Sequence, residues 1–286
     1  MKVKLKTATK ILIIICFIGL SLLLYPTVSN HWNQKHATQA ITAYVNELED
    51  FDGERYQRIW GEAVQYNEDL RERENPFVLD ADMHERYLSC LDVSGTGVMG
   101  YVEIPKLEVS LPIYHGTSEG VLQKAIGHLD WSSLPVGGEG THCVISGHRG
   151  LPSAKLFTDL DKLREGDTFS LIILNEELTY EVDQIRTVEP NGVASLVVSE
   201  GMDYCTLVTC TPYGINTHRL LVRGHRIESA RAHTVHVISE AIVIDPLIIA
   251  PIVAFPFLFL LFMMVMLKKP EKQNKDTTPF SSGGKN

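Results

Sequence analysis

Two long apolar stretches lie near the two ends of the chain. Residues Ile11 to Trp32 contain no Asp, Glu, Lys or Arg, and the same is true of Pro246 to Leu267. Each stretch is long enough to cross a bilayer as a helix. Lysines precede the first stretch and follow the second, and positive charge marks the cytoplasmic side of a span. The pattern predicts two membrane spans, with both termini in the cytoplasm and the intervening chain outside.

Each predicted span has an alternative interpretation. Ile11 to Leu24 has the length of the apolar region of a cleavable signal peptide, but no small-residue cleavage site follows it, which favours an uncleaved anchor. The second stretch contains three prolines, which weaken it as a straight membrane helix, and the alternative is a buried core helix. Membrane helices tolerate proline, and Lys268 and Lys269 follow at once, which favours a span.

Between the spans, the first polar region has helical periodicity. Its apolar residues recur at intervals of three and four, which indicates amphipathic helices. They are Ile41, Tyr44, Val45, Leu48, Tyr56, Ile59, Trp60, Ala63 and Tyr66. The pattern breaks near Asp52-Gly53, so it predicts two helices within Gln39 to Leu70. We expect one face of each to pack on the neighbouring domain, and partner binding is the alternative.

A loop region separates these helices from the rest of the chain. Asn75-Pro76-Phe77 begins it, because proline disfavours helix for the residue before it. The glycine-rich run from Ser94 to Gly100 lacks the strand, helix and Lys-Ser/Thr context of a phosphate-binding loop. We therefore interpret this run as a linker.

The section from Tyr101 to about Ser229 alternates apolar and polar residues in short runs bounded by turn residues, which is typical of strands. The predicted strands are Tyr101–Ile104, Val109–Tyr114, His142–Ser146, Thr168–Leu174, Leu178–Val182, Ser195–Val198, Thr206–Cys210 and Arg219–Arg223. Eight such strands predict a closed or nearly closed β-barrel. Ser153 to Leu163 is predicted as a helical insert.

The chain has 286 residues and a formal net charge of −9. The charge argues against a nucleic-acid partner, because phosphate binding requires a basic surface. We expect five regions along the chain. They are a cytoplasmic start and anchor (1–35), a helical extension (36–98), a β-barrel (99–232), a second membrane segment (233–269) and a disordered cytoplasmic tail (270–286).

Three residues from separate segments are candidates for covalent chemistry. Cys210 ends a predicted strand, and His148 follows another strand through Gly147. A cysteine attacks a carbonyl as a thiolate, so it needs a base or a cation nearby. Arg219 begins the next strand after a turn, and its guanidinium can stabilise an oxyanion. The pattern predicts that nucleophile, base and electrostatic stabiliser meet at one barrel rim.

The same residues also permit other interpretations. Cys210 can be an inert buried cysteine, with His148 and Arg219 as unrelated surface residues. Four cysteines outside the predicted spans allow two disulfides in an oxidising compartment, although Cys205 and Cys210 point to opposite faces of a strand. A zinc site is disfavoured, because the Cys and His residues lack the paired spacing of structural zinc ligands.

These residues resemble the sortase family. The run Thr206-Leu-Val-Thr-Cys210 followed by Arg219 is similar to the family's TLxTC…R motif, and Gly147-His148-Arg149-Gly150 is similar to its histidine motif. The likeness extends from about Tyr101 to Arg226. The two spans, the helical extension and the residues after Cys210 resemble the class C, pilin-polymerising branch from Gram-positive bacteria, whose catalytic domain is an eight-stranded barrel on the outer membrane face.

The resemblance implies a transpeptidase. Cys210 would attack the Thr carbonyl of an LPxTG-like sorting signal at the Thr-Gly bond and form a thioacyl intermediate. His148 would be the acid and base, and Arg219 would stabilise the oxyanion or substrate. A pilin lysine amine would then resolve the intermediate, which assembles covalent pili. The resemblance implies no metal or organic cofactor, and it places Thr209, next to the nucleophile, among the residues that contact substrate.

The expected lid departs from the class C pattern. That pattern has an Asp-Pro-aromatic tripeptide over the active site, whereas this chain has Asn75, Pro76 and Phe77. Phe77 can still shield Cys210, but Asn75 cannot pair with Arg219. We expect either a more weakly held lid or a substitute carboxylate from Asp80 or Asp82.

Three alternatives to pilus assembly are compatible with the sequence. The first is a sortase that anchors surface proteins to the cell wall. The second is a thiol hydrolase that uses water. The third is a membrane-tethered binding module without enzymatic activity, in which Cys210 is structural. The second span and the helical extension favour the polymerase, and neither determines the acceptor amine.

Overall fold

The computed structural model describes residues 7–75 and 77–228. Within these residues, four α-helices and eight strands form one mainly β fold. The helices are α1 (Thr7–Glu49), α2 (Gly53–Arg71), α3 (Ala81–Ser89) and α4 (Glu119–Leu122). The strands are β1 (Val98–Ile104), β2 (Val109–His115), β3 (Ile126–His128), β4 (Thr141–Ser146), β5 (Thr168–Ile173), β6 (Glu176–Val188), β7 (Asp203–Thr211) and β8 (His218–Arg226).

The strands close into a barrel in the order β1-β2-β3-β4-β7-β8-β6-β5, and β5 pairs with β1 to complete it. The prediction of an eight-stranded barrel is therefore confirmed. Most neighbouring strands are antiparallel, but β4 and β7 are parallel, with Cys143 beside Cys205 and Ser146 beside Val208. Parallel neighbours need a long crossover, and the chain between β4 and β7 supplies it with β5 and β6 on the far side of the barrel.

Two details of the strand prediction are wrong. Ser195–Val198 is not a strand, because Val193–Leu196 forms a short 3-10 helix and Leu196 packs against the outside of the barrel. The eighth strand is instead β3, whose three residues are too few to produce an alternating pattern. The predicted linker is also shorter than expected, because Val98, Met99 and Gly100 belong to β1.

The predicted helical insert at Ser153 to Leu163 is wrong as well. Only Leu160–Lys162 is helical there, as a single 3-10 turn. Leu156 has a φ of 38°, in the left-handed region, which interrupts any regular helix. The apolar spacing arises because Phe157, Leu160 and Leu163 are buried in the barrel core.

The two amphipathic helices are confirmed and pack on the barrel. Asp52 caps α2 by accepting a hydrogen bond from Arg55 N at 2.7 Å, which explains the break at Asp52-Gly53. Tyr44 is buried, and its hydroxyl donates to Met99 O at 3.1 Å and accepts from Leu174 N at 2.9 Å. The α2 side chain Asn67 makes a reciprocal pair of bonds to the backbone of Leu134.

The membrane predictions remain predictions. In the part of the chain that the structure describes, no helix combines the length and the apolar character needed to cross a bilayer. The second predicted span, Pro246 to Leu267, and the tail after it lie outside the described residues, so the region boundaries proposed from the sequence also remain predictions.

Candidate active site

The β7–β8 hairpin places Cys210 directly opposite Arg219. These residues are Cα partners in the antiparallel register of the two strands. Paired residues lie on the same face of a sheet. The preceding pairs on this face are Val208 with Leu221 and Thr206 with Arg223. The hairpin therefore sets the backbones of Cys210 and Arg219 side by side, with both side chains on one face of the sheet.

The turn of this hairpin holds Arg219 in place. Pro212 O accepts hydrogen bonds from Ile215 N and Asn216 N. Arg219 Nη1 donates to Asn216 O at 3.3 Å and to His218 O at 3.1 Å. A guanidinium has five N–H donors, so the remaining donors of Arg219 are available to a substrate oxygen.

The parallel register of β4 and β7 determines the position of His148. Ser146 is the partner of Val208, and Gly147 N donates to Val208 O at 3.0 Å. His148 stands two residues beyond Ser146, just as Cys210 stands two residues beyond Val208. Neighbouring strands lie about 4.8 Å apart, so His148 lies beside the Thr209–Cys210 segment.

Thr209 connects β7 to the strand end that precedes His148. Its side chain points inward and is buried, and its hydroxyl donates to Gly147 O at 2.8 Å. Thr209 thus ties β7 to the segment that carries His148, and its predicted contact with substrate stays a prediction. Gly147 is required at this point, because a Cβ there would lie 2.7 Å from the Phe157 ring and 2.8 Å from Ile126.

Two charged side chains flank His148. Glu119 Oε2, at the start of α4, lies 4.0 Å from His148 Nε2. Arg149 is 9% exposed and pairs with Asp161, while its Nη1 donates to Thr211 Oγ1 at 3.5 Å. Arg149 thus connects the histidine segment to the end of β7.

An apolar pocket opens beside these residues on the outer face of the barrel. Its volume is about 190 Å³. It is lined by Thr117, Leu122, Leu129, Trp131, Ser146, Val188, Glu189, Pro190, Gly192, Leu196, Val208, Arg219 and Leu221. Sequence reasoning missed Trp131, which lies between β3 and β4 with no periodic pattern, and it assigned Leu196 to a strand where the structure has a 3-10 helix. The pocket can hold an apolar peptide segment next to Cys210.

The predicted lid segment lies against Trp131. The rings of Phe77 and Trp131 meet edge to face, with centroids 5.1 Å apart, and Asn75 Oδ1 accepts from Phe77 N at 3.1 Å. Asp80 pairs with Arg73 at 2.9 Å and caps α3, so it does not replace the missing aspartate opposite Arg219. Pro76 lies outside the described residues.

The cysteines form no disulfide in the part of the chain that the structure describes. All five are free thiols, and Cys90, Cys143 and Cys205 are buried. Burial raises the pKa of Cys90 to about 11 and that of Cys205 well above its ordinary value. Within residues 7–75 and 77–228, no three His, Cys, Asp or Glu side chains are grouped as metal ligands would be.

Comparison with known proteins identifies relatives of this chain. Residues 102–227 match the sortase domain family model. The chain is 51% identical to sortase C1 from Streptococcus agalactiae, with a TM-score of 0.65 over 67% of this chain and 99% of that one. It is 43% identical to the Clostridium perfringens sortase C, solved with the C-terminal cell wall sorting motif, with a TM-score of 0.60 over 68% and 100%.

A curated relative is more distant. Sortase D of Bacillus subtilis (strain 168) is 30% identical over 131 residues, which make up 45% of this chain and 63% of that protein. The match thus spans less than two thirds of the curated relative's length.

Proposed function

Because the chain belongs to the sortase family, we propose that it is a cysteine transpeptidase in which Cys210 is the nucleophile, His148 the acid and base, and Arg219 the stabiliser of the oxyanion. The observation that carries this proposal is the direct pairing of Cys210 with Arg219. The parallel register of β4 and β7, which ends at Ser146 two residues before His148, supports it.

The first half of the reaction forms an acyl-enzyme. Cys210 Sγ attacks the threonine carbonyl of an LPxTG-like signal, and the carbonyl oxygen becomes an oxyanion near Arg219. Preorganised donors that face developing charge account for much of the rate of such reactions. The C–N bond then breaks, the leaving glycine amine takes its proton from His148, and a thioester to Cys210 remains.

The second half transfers the acyl group to an amine. The acceptor amine gives up a proton to His148 and attacks the thioester carbonyl, which releases the Cys210 thiolate. Similarity to class C sortases of 40–51% identity supports a pilin lysine as the acceptor, and the product is then an isopeptide-linked fibre. The apolar pocket suits the Leu-Pro part of the signal, which contains no charged side chain.

The decisive experiment incubates the purified full chain with a pilin that carries an LPxTG signal and analyses the products by denaturing gel and mass spectrometry. We expect a ladder of covalent multimers from the native chain. A conjugate to wall precursor alone would instead favour cell-wall anchoring, and plain cleavage would favour a hydrolase.

Two variants test the assignment of the nucleophile. Cys210→Ala should lower turnover by at least about 10³-fold, since it removes the group that forms the covalent intermediate. Its circular dichroism spectrum should be unchanged. Cys90→Ala is the matched control, because Cys90 is a buried thiol on the helical side. Full activity of Cys210→Ala would rule out the mechanism and favour a binding module.

We also propose that the barrel lies outside the cytoplasm, with both termini inside. The support is the lysines that flank the two apolar stretches. A membrane-impermeant thiol reagent should label Cys210 on intact cells. Labelling that appears only after the membrane is broken would contradict this orientation.

A further inference from the structure

A second, larger cavity continues from the apolar pocket along the outside of the barrel. We call it the outer groove, and its volume is about 720 Å³. It is lined by Leu70, Arg71, Phe77, Trp131, Ser132, Ser133, Glu139, Gly140, His142, Leu196, Val197, Val198, Glu200 and Gly201. Trp131 and Leu196 line both cavities. The two therefore form one continuous surface that leads away from Cys210.

The strand register gives the direction of this surface. On β7, the outward side chains run from Cys210 through Val208 to Thr206. Thr206 Oγ1 lies 2.7 Å from His142 Nε2, and His142 lines the outer groove. Four residues of strand cover about 13 Å. The part of the groove at His142 thus lies roughly 13 Å from the thiol along β7.

The proposed substrate extends to the same distance. In an LPxTG signal the leucine precedes the scissile threonine by three residues, or about 10 Å of extended chain. With the threonine carbonyl at Cys210, leucine and proline occupy the apolar pocket formed by Val188, Leu196 and Val208. The residues ahead of the leucine then reach the level of His142.

We propose that the outer groove binds the roughly four residues that precede the sorting signal, in extended conformation, and prefers an apolar side chain next to the signal and a basic side chain further out. This inference rests on the proposed function. It assigns specificity to the chain segment ahead of the signal, in addition to the signal itself.

The side chains of the groove fit this occupant. Its end near the apolar pocket is formed by the rings of Trp131 and Phe77 together with Leu196. Its outer end carries the exposed carboxylates of Glu139 and Glu200, which form no ion pair within the described part of the chain. Arg71 is the single guanidinium of the lining, and its Nη1 donates to Glu139 O at 3.4 Å. Two carboxylates against one guanidinium leave the outer end negative.

The test compares three peptides with the same LPxTG signal. The short peptide begins at the leucine of the LPxTG signal. The lysine peptide adds four residues ahead of that signal, with a further leucine directly before it and a lysine at the outer end. The glutamate peptide is the same as the lysine peptide except that glutamate replaces the outer lysine. We expect kcat/KM for the lysine peptide to exceed that of the short peptide by about fivefold, because it adds one apolar contact and one screened charge contact. The glutamate peptide should lie between them.

Charge reversal at the groove is the sharper test. Glu200→Lys should invert the order of the lysine and glutamate peptides. Glu165→Lys is the matched control, because Glu165 is an exposed carboxylate in the turn before β5, across the barrel from β4 and β7. This control variant should keep the lysine peptide ahead of the glutamate peptide. Equal kcat/KM for the short and extended peptides, within about twofold, would overturn the proposal.

Binding separates this inference from the catalytic proposal. Fluorescence anisotropy with labelled peptides and the Cys210→Ala chain should give tighter binding of the lysine peptide than of the short peptide. If no peptide is cleaved but this preference appears, the groove is supported and the transpeptidase proposal fails. If the short peptide is cleaved and extension adds neither binding nor rate, the groove proposal fails alone. Absence of both binding and cleavage would overturn both.

Discussion

Cys210 on β7 and Arg219 on β8 are direct partners across an antiparallel hairpin. Their proximity is fixed by backbone hydrogen bonds and by the turn between them. It therefore does not depend on the lid segment or on the helical extension, and side-chain substitutions at either position leave the frame intact.

Arg219→Lys tests the need for a planar, multi-donor group. Lysine keeps the charge but presents a single ammonium instead of a fork of donors. We expect kcat/KM to fall about tenfold or more, and by about 10²–10³ in Arg219→Ala, as measured by steady-state peptide cleavage. Arg58→Ala, which removes an exposed guanidinium paired with Glu62 on α2, should retain the native rate. An unchanged rate in Arg219→Ala would remove this residue from the mechanism.

Thr209→Val tests the connection between β7 and the histidine segment. The substitution keeps the side-chain shape but deprives the buried Gly147 carbonyl of its partner, at a cost of about 1–3 kcal/mol in the free energy of unfolding. We expect lower thermal stability together with a lower kcat, because His148 follows Gly147. Thr209→Ser should restore both. Loss of stability without loss of kcat would show that the bond does not position His148.

Phe77→Ala tests the lid. We propose that the segment from Asn75 to about Asp82 restricts the approach to Cys210 while Phe77 rests on Trp131. Removal of the ring should increase the rate at which a thiol reagent labels Cys210. Val78→Ala, an exposed neighbour in the same segment, is the control. An unchanged labelling rate for Phe77→Ala would show that Phe77 does not shield the thiol.

His142 makes stability depend on pH. The pKa of His142 lies below its ordinary value of 6.5, and burial is the largest cause. The nearby Arg223 also lowers this pKa, whereas the bond to Val197 O and the charge of Asp183 raise it and offset part of the effect. The unfolded chain therefore binds a proton more readily than the folded chain, so stability is present above about pH 6.5 and falls as the pH drops below it.

The melting temperature should accordingly decrease by a few degrees between pH 7 and pH 5.5. In His142→Gln the decrease should be smaller, because one group that takes up a proton on unfolding is gone. Identical pH profiles for the two proteins would contradict the assignment to His142.

The parts of the fold that were predictable have strong local patterns. β7 and β8 are short runs rich in apolar and β-branched residues on either side of a Pro-Tyr-Gly turn, and α2 carries both a capping aspartate and helical spacing. β3 was missed because three residues give no period. The apolar spacing of Ser195–Val198 and of Ser153–Leu163 does not come from a regular strand or helix. It arises because some of their side chains pack on the barrel, a surface that only the tertiary structure creates.

The candidate site divides in the same way. Cys210 lies near the end of β7, Arg219 near the start of β8, and His148 two residues after β4, so strand prediction alone was enough to nominate all three. Trp131 lines the pocket from the segment between β3 and β4, and no local pattern marks it. The ion pair of Arg73 with Asp80 was also missed, because two charged residues seven positions apart in a loop have no expected relative orientation.

The parallel pairing of β4 with β7 joins residues about 60 positions apart in the chain. Long-range strand pairing forms late, after the entropy of closing so large a loop has been overcome. The rim that we propose for catalysis therefore forms only after the chain has been synthesised through β7, because residues 148 and 210 come near each other through this pairing and not through local structure.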